Sequence, residues 1–215
     1  MPMYGKRLLL FVVIAVVLPG IAFAEMNTDL RFKFGSSAEA DELTIDGMTV
    51  TGTGESSSNF QVELIFSPKT QEPVGFLFGA GLFARKHSGS DNDPVTPVTL
   101  DYKAAGLSLT GGIGIKANDN LHFEGKLELG LGAGEPTFSS PGFVFNSTDS
   151  GAYSSVSLIL GAYYTVSSPG FQIGLELGAQ SFEGDFKIWN NGGFWSSGTV
   201  EGSSGTINLL LGYRF

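Results

Sequence analysis

Acids and bases recur along this chain at every second position. Asp29, Arg31 and Lys33 stand two apart, as do His122, Glu124, Lys126 and Glu128. Glu63, Lys116, Glu176 and Arg214 each sit between two apolar neighbours, and Arg85 closes a run of the same kind. Successive side chains of a β-strand point to opposite faces, so a spacing of two collects these groups on one face. If that face is enclosed, the chemistry is mutual neutralisation, because an unpaired charge in a narrow interior is costly. If water lines it, the same residues form an ion path. His122 beside Glu124 reads as a hydrogen-bonded interior histidine. A second set, His87-Ser88-Gly89-Ser90-Asp91 with Asp93 nearby, has the residue types of a Ser/His/acid hydrolase. Adjacent residues rarely meet in triad geometry, so no catalytic residue is assigned and no enzyme is expected. No Asp-x-Asp-x-Asp loop with its glycine and glutamate occurs, and there is no cysteine, so no metal site or cofactor is expected.

Alternation of apolar and polar residues recurs eight times: in 28–35, 59–66, 74–85, 100–116, 121–133, 153–166, 171–182 and 206–215. The fifth run is the clearest, with Leu121, Phe123, Leu127, Leu129 and Leu131 on one side and His122 to Gly132 on the other. The phase of the fourth slips between Tyr102 and Leu107, which predicts a bulge near Ala104–Gly106. Connections alternate in length. Segments 67–73, 117–120 and 167–170 are short and rich in turn residues, whereas 36–58, 86–99, 135–152 and 183–205 are long and polar. Leu43-Thr44-Ile45 and Met48-Thr49-Val50 around Asp46-Gly47 predict a small hairpin inside the first long connection.

This rhythm predicts an all-β fold: an eight-stranded antiparallel up-and-down transmembrane β-barrel with apolar residues facing lipid. Strand eight must close on strand one, since an open edge is intolerable in hydrocarbon. A soluble barrel turned the other way, with Leu and Phe inside, is the competing arrangement. Glycines crowd the polar face, where a soluble exterior would only lose strand stability. In a narrow lumen they make room for long side chains across the bore.

Residues 1–24 form an export signal: Lys6 and Arg7, an apolar run too short to span as a helix, a Pro19-Gly20 break, and a small-x-small cleavage site at Ala22 and Ala24. Residues 25–215 form the barrel domain. Removing Lys6 and Arg7 leaves 10 basic against 21 acidic residues, a formal charge of −11, which argues against nucleic acid as a partner. The acids concentrate in the long connections. Phe143, Val144, Phe145, Trp189, Phe194 and Trp195 there fit either an interfacial aromatic girdle or contacts to a partner.

The chain stops on Asn208-Leu209-Leu210-Leu211-Gly212-Tyr213-Arg214-Phe215. Asn208, Tyr213 and Phe215 match the assembly signal of bacterial outer-membrane barrels; Leu210 stands where that signal has glycine, and Gly212 follows two places later. With its eight alternating runs, the chain resembles the small eight-stranded outer-membrane β-barrel proteins. The resemblance implies residence in outer-membrane lipid, insertion by the barrel-assembly machinery, and a structural or surface-interaction role with a possible ligand at the loops. A narrow porin-like channel is the alternative, and a lipid A-modifying enzyme the third.

Overall fold

The computed structural model describes residues 26–39, 43–45, 48–50, 56–68, 73–91, 98–140, 143–144, 147–167, 169–190 and 193–215. Eight long strands form the ring: β1 (Met26–Glu39), β2 (Ser56–Pro68), β3 (Val74–Asp91), β4 (Val98–Lys116), β5 (Leu121–Ser140), β6 (Ser147–Thr165), β7 (Gly170–Asn190) and β8 (Gly193–Arg214). Each pairs antiparallel with its neighbour in sequence, and β8 closes on β1 from Asp29↔Arg214 to Glu39↔Ser204. The short connections between β2 and β3, β4 and β5, and β6 and β7 lie at one end. In the second, Asn118 Oδ1 accepts hydrogen bonds from the backbone N–H groups of Asn120 and Leu121, an Asx-type turn.

The facing follows from the alternation. Phe32, Phe34, Leu64, Phe76, Leu82, Leu109, Leu129, Leu160, Leu175 and Leu209 point outward and are exposed, while Asp29, Arg31, Lys33, Glu63, Lys126 and Glu176 are fully buried inside. A water-soluble barrel would show the reverse. The outward apolar residues make a belt that only hydrocarbon can cover. At its short-turn edge Phe76, Phe171 and Phe215 are highly exposed, and Tyr213 packs edge-on against Phe171 and Phe215 at 5.6 and 5.0 Å. This is the interfacial aromatic girdle of a membrane barrel.

The strands overrun the belt on the long-connection side. A tilted strand crosses a membrane in about 9–11 residues, whereas β7 and β8 run 21 and 22. Much of what reads as long loop is therefore paired strand, most plainly in 183–205, where pairing continues to Asn190↔Gly193. The expected hairpin forms between Leu43–Ile45 and Met48–Val50, and Thr44 and Ile45 also pair with Glu201 and Val200 of β8. Its turn lies outside the described residues, as do residues 1–24 and the side chains of Phe143, Val144, Phe145, Trp189, Phe194 and Trp195.

No bulge occurs at Ala104–Gly106: β4 keeps one register against both neighbours through that stretch. Polarity, and not phase, is what changes there. Leu100, Tyr102 and Ala104 are buried inside, whereas Leu107 and Leu109 face lipid. Beyond the belt the interior becomes apolar and the exterior polar. Register shifts fall elsewhere: between Ile188 and Trp189 in the β7–β8 pairing, and on β6, where Gly151 and Ala152 together face Asp185. A Cβ on Gly151 would fall 1.9 Å from the Asp185 carbonyl oxygen, so only glycine fits the bulge.

Leu129 stands within the belt, 45% exposed. Leu129→Arg is expected to destabilise the folded barrel by about 2–4 kcal/mol, the mid-bilayer cost of arginine on a lipid face. Urea unfolding in lipid vesicles measures it.

Candidate functional site: the barrel interior

Asp29, Arg31 and Lys33 project inward from β1, Glu63 from β2, Arg85 from β3, Glu124, Lys126 and Glu128 from β5, Glu176 from β7 and Arg214 from β8. Arg31 sits at the centre of the short-turn half. Its two terminal nitrogens grip both Glu124 oxygens at 2.6 and 2.7 Å, and one also donates to Asp29 at 2.7 Å. Such bidentate, charge-assisted bonds are the strong ones. Arg214 holds Asp29 from the other side with two bonds of 2.7 Å. Tyr163 lies 4.4 Å beneath the Arg31 guanidinium and donates its hydroxyl to Glu176.

One layer further along the bore, the Lys33 Nζ lies 2.9 Å from Glu63, 3.3 Å from Glu176 and 3.5 Å from Glu128. Lys126 reaches Glu176 at 2.5 Å and both Glu63 and Glu124 at 3.6 Å. Arg85 donates to Glu128 at 2.6 Å and to Ser155 at 2.7 Å, and its guanidinium lies 4.5 Å over the Phe83 ring. Gln61 adds a bond of 2.7 Å to Glu128. Five carboxylates thus meet five fixed cations in one connected network.

Two of the sequence-derived candidates stand apart. His122 is at the edge, 3.3 Å from Glu124 and stacked on Tyr163 at 5.1 Å. Lys116 is not brought in. It ends β4 at the turn, where Asp119 three residues on takes its ammonium at 2.8 Å in solvent. The hydrogen bond from Lys116 holds the Asp119 carboxyl below its ordinary pKa. Asp29, His122 and Glu124 offer ligand atoms within 4.8 Å of one another, a spacing a metal could use. Both carboxylates already serve Arg31, which makes the cluster an anion pocket for guanidinium groups.

Sequence reasoning missed the aromatic members. Tyr163 and Tyr102 fall on the polar face of their strands, and the glycines beside them are the signal that was available. A Cβ on Gly161 or Gly174 would come 2.3 or 2.5 Å from Tyr163, and one on Gly134 or Gly184 equally close to Tyr102. Tyr102 heads a second layer above the charges, where Phe83, Leu100, Tyr153, Phe182, Phe186 and Val200 fill the bore. His87 belongs to it, stacked 3.7 Å from Phe182 with its Nε2 3.1 Å from the Tyr153 hydroxyl. Ser88 points the other way and donates to Asp101 at 2.7 Å. The two residues whose types suggested a hydrolase lie on opposite faces of β3.

At the short-turn end the interior opens into a basin of about 530 Å³, lined among others by Leu77, Lys116, His122, Glu124 and Arg214. The residues that the sequence offers as an assembly signal lie on β8 and immediately after it. Asn208 faces inward and accepts a bond from Asn59 at 3.2 Å, Gly212 lies against β1, and Phe215 faces outward with its backbone N–H bonded to Thr28.

A closed ring of eight antiparallel strands, a lipid-facing belt with an aromatic girdle, a polar interior and tight turns at one end define an outer-membrane-type β-barrel, and the bacterial outer membrane is where it resides. No protein-family model matches the chain, and no curated protein matches its sequence. Similar solved structures include the attachment invasion locus protein Ail of Yersinia pestis in complex with the heparin analogue sucrose octasulfate, at 17% identity over 89% of this chain and 99% of that one, with a TM-score of 0.46. The outer membrane protein AlkL in lipid bilayers is 15% identical over 90% and 92%, with a TM-score of 0.45, and OprG from Pseudomonas aeruginosa 14% over 89% and 96%, at 0.42. The class itself follows from this chain's own ring, belt and turns.

Lys126→Met would leave Glu176, Glu63 and Glu124 short of one cation in a dry interior. A loss of about 3–5 kcal/mol is expected, the usual result of breaking a buried ion pair from one side. Lys116→Met, at the solvent edge, should leave stability unchanged. Unfolding of both variants in vesicles, followed by gel mobility, compares them.

Proposed function

We propose that this is a non-enzymatic outer-membrane protein whose barrel is a closed stake and whose work is done by its surface-exposed ends, in a structural or surface-interaction role. The observation that carries this reading is the double filling of the bore. Charged side chains neutralise one another across it in one layer, and a cluster of aromatic and aliphatic side chains occupies the next. Small eight-stranded barrels are generally wide enough only for their own side chains. The opposed orientations of His87 and Ser88 support the absence of hydrolase chemistry. Export is assigned to residues 1–24, with cleavage after Ala24. Recognition by the insertion machinery is assigned to Asn208, Tyr213 and Phe215.

A narrow channel for small solutes is the second reading, favoured by the 530 Å³ basin at the short-turn end. A channel requires that basin to continue past Arg31 and Tyr163. Purified protein in a planar bilayer is expected to give no reproducible single-channel steps. Steady, regular steps would overturn the closed reading in favour of the channel.

A further inference from the structure

The eight strands are paired all the way round only up to one row. Lys86, Lys103 and Glu135 stand opposite one another across β3, β4 and β5. At that row these three strands lose both outer neighbours. The β2–β3 ladder ends at Ser58↔Lys86, and the β5–β6 ladder ends one residue lower on β5, at Gly134↔Gly151. The three strands run on together. β3 and β4 stay paired to Asp91↔Val98, and β4 and β5 to Thr99↔Ser139. On the other side β6, β7 and β8 also stay paired, and the edge of β8 that β1 leaves at Glu39↔Ser204 is taken up by Thr44 and Ile45. The wall above the row is therefore two separate sheets. Met48–Val50 comes within 8 Å of β3, Cα to Cα, but among the described residues no ladder pair joins the two sheets across either seam.

The aromatic layer lies between them. His87, Leu100, Tyr102 and Phe138 of the three-stranded sheet meet Tyr153, Phe182, Phe186 and Val200 of the strands opposite. Phe138 packs on Phe186 at 5.6 Å, and the Tyr102 hydroxyl donates to the Asp185 carbonyl over a long 3.5 Å. Side-chain contacts of this kind can part without breaking a ladder.

Just below the row the three-stranded sheet is built to bend. Gly106 and Gly132 face each other across β4 and β5. A Cβ on either would fall 2.2 Å from a carbonyl oxygen of the facing strand, so the sheet curves there too tightly for any side chain. On the outer surface Ala84, Ala105 and Ala133 stand side by side on the floor of a groove of about 710 Å³, which leaves room for an outward turn.

We propose that the upper parts of β3, β4 and β5 form a hinged lid that turns outward about the Lys86–Lys103–Glu135 row and uncovers the aromatic layer. The ring below that row is hydrogen-bonded on every side, so the ionic layer stays shut when the lid opens and no through-path results. The lid opens and closes as one unit, because its own ladders survive the movement.

The protein has no cysteine, so introduced thiols report on the movement alone. Leu100 and Leu210 are both fully buried, the first in the aromatic layer and the second opposite Lys33 in the ionic one. In lipid vesicles Leu100→Cys should react with a water-soluble maleimide on the order of tenfold faster than Leu210→Cys. An oxidised Glu135→Cys/Ser150→Cys pair, placed across the seam just beyond Gly134↔Gly151, should bring the Leu100→Cys rate down to that of Leu210→Cys, and reduction should restore it. Lys103→Cys/Glu135→Cys, opposite each other within the lid, should leave the rate unchanged. Val200→Cys, on the facing sheet, should respond as Leu100→Cys does and takes its place if that variant fails to fold. Equal rates at the two depths, labelling undiminished by the seam disulfide, or equal slowing by both disulfides would each overturn the proposal.

Discussion

Hydrocarbon offers no hydrogen bonds, and that deficiency organises the structure. It forbids a free strand edge, so β8 must return to β1. It also forbids outward charge in the belt, so every acid and base of the spanning rows is turned inward. Once inside, the charges lie within a bore too narrow to hydrate them freely, and a buried charge persists only when paired. Arg31, with Asp29 on one side and Glu124 on the other, is the clearest product of that sequence of constraints. Removing the guanidinium would leave two carboxylates facing each other without a counter-charge.

The same physics runs backwards above the belt. There water surrounds the barrel, so the outward positions become Lys86, Lys103, Glu183 and Glu201, and the inward ones become Phe83, Tyr102, Tyr153 and Phe182. The strands continue unbroken through the change. One chain therefore carries two stacked cores of opposite character, an ionic one enclosed by lipid and an aromatic one enclosed by water. Tyr102 and Tyr163 show how each is filled: a long ring lies in the space left by two glycines, Gly134 and Gly184 for Tyr102 and Gly161 and Gly174 for Tyr163, a known device for completing β-surfaces around glycine.

Much of this was legible in the residues themselves. Period-two alternation located all eight strands and their facing, because lipid outside and charge inside impose a strict pattern on 28–35, 121–133 or 171–182. The inward set of acids and bases followed from the same parity. Strand ends were not legible: the alternation changes polarity beyond the belt, so paired segments such as 183–190 resembled polar loop. The apolar inward residues Leu100 and Tyr102 mimicked a slip in phase for the same reason. Lys116 has the right parity but the wrong height, and sequence parity carries no information about height. Which carboxylate meets which cation depends on register between distant strands, and the spacing along one strand does not contain it.

The ion pairs also bear on shape. In a ring of eight, β1 and β5 stand opposite each other, and Arg31–Glu124 and Lys33–Glu128 both run between them. Arg85 of β3 meets Ser155 of β6, and Lys126 of β5 reaches Glu63 of β2. These contacts act as spokes in a wheel. A bilayer presses unevenly on a cylinder, and an empty eight-stranded tube would yield by flattening into an ellipse. Flattening this one would lengthen some spokes while crushing others. Its cross-section is held round from within, so load applied at the exposed end is transmitted down the wall as tilt of the whole cylinder, with little change in girth.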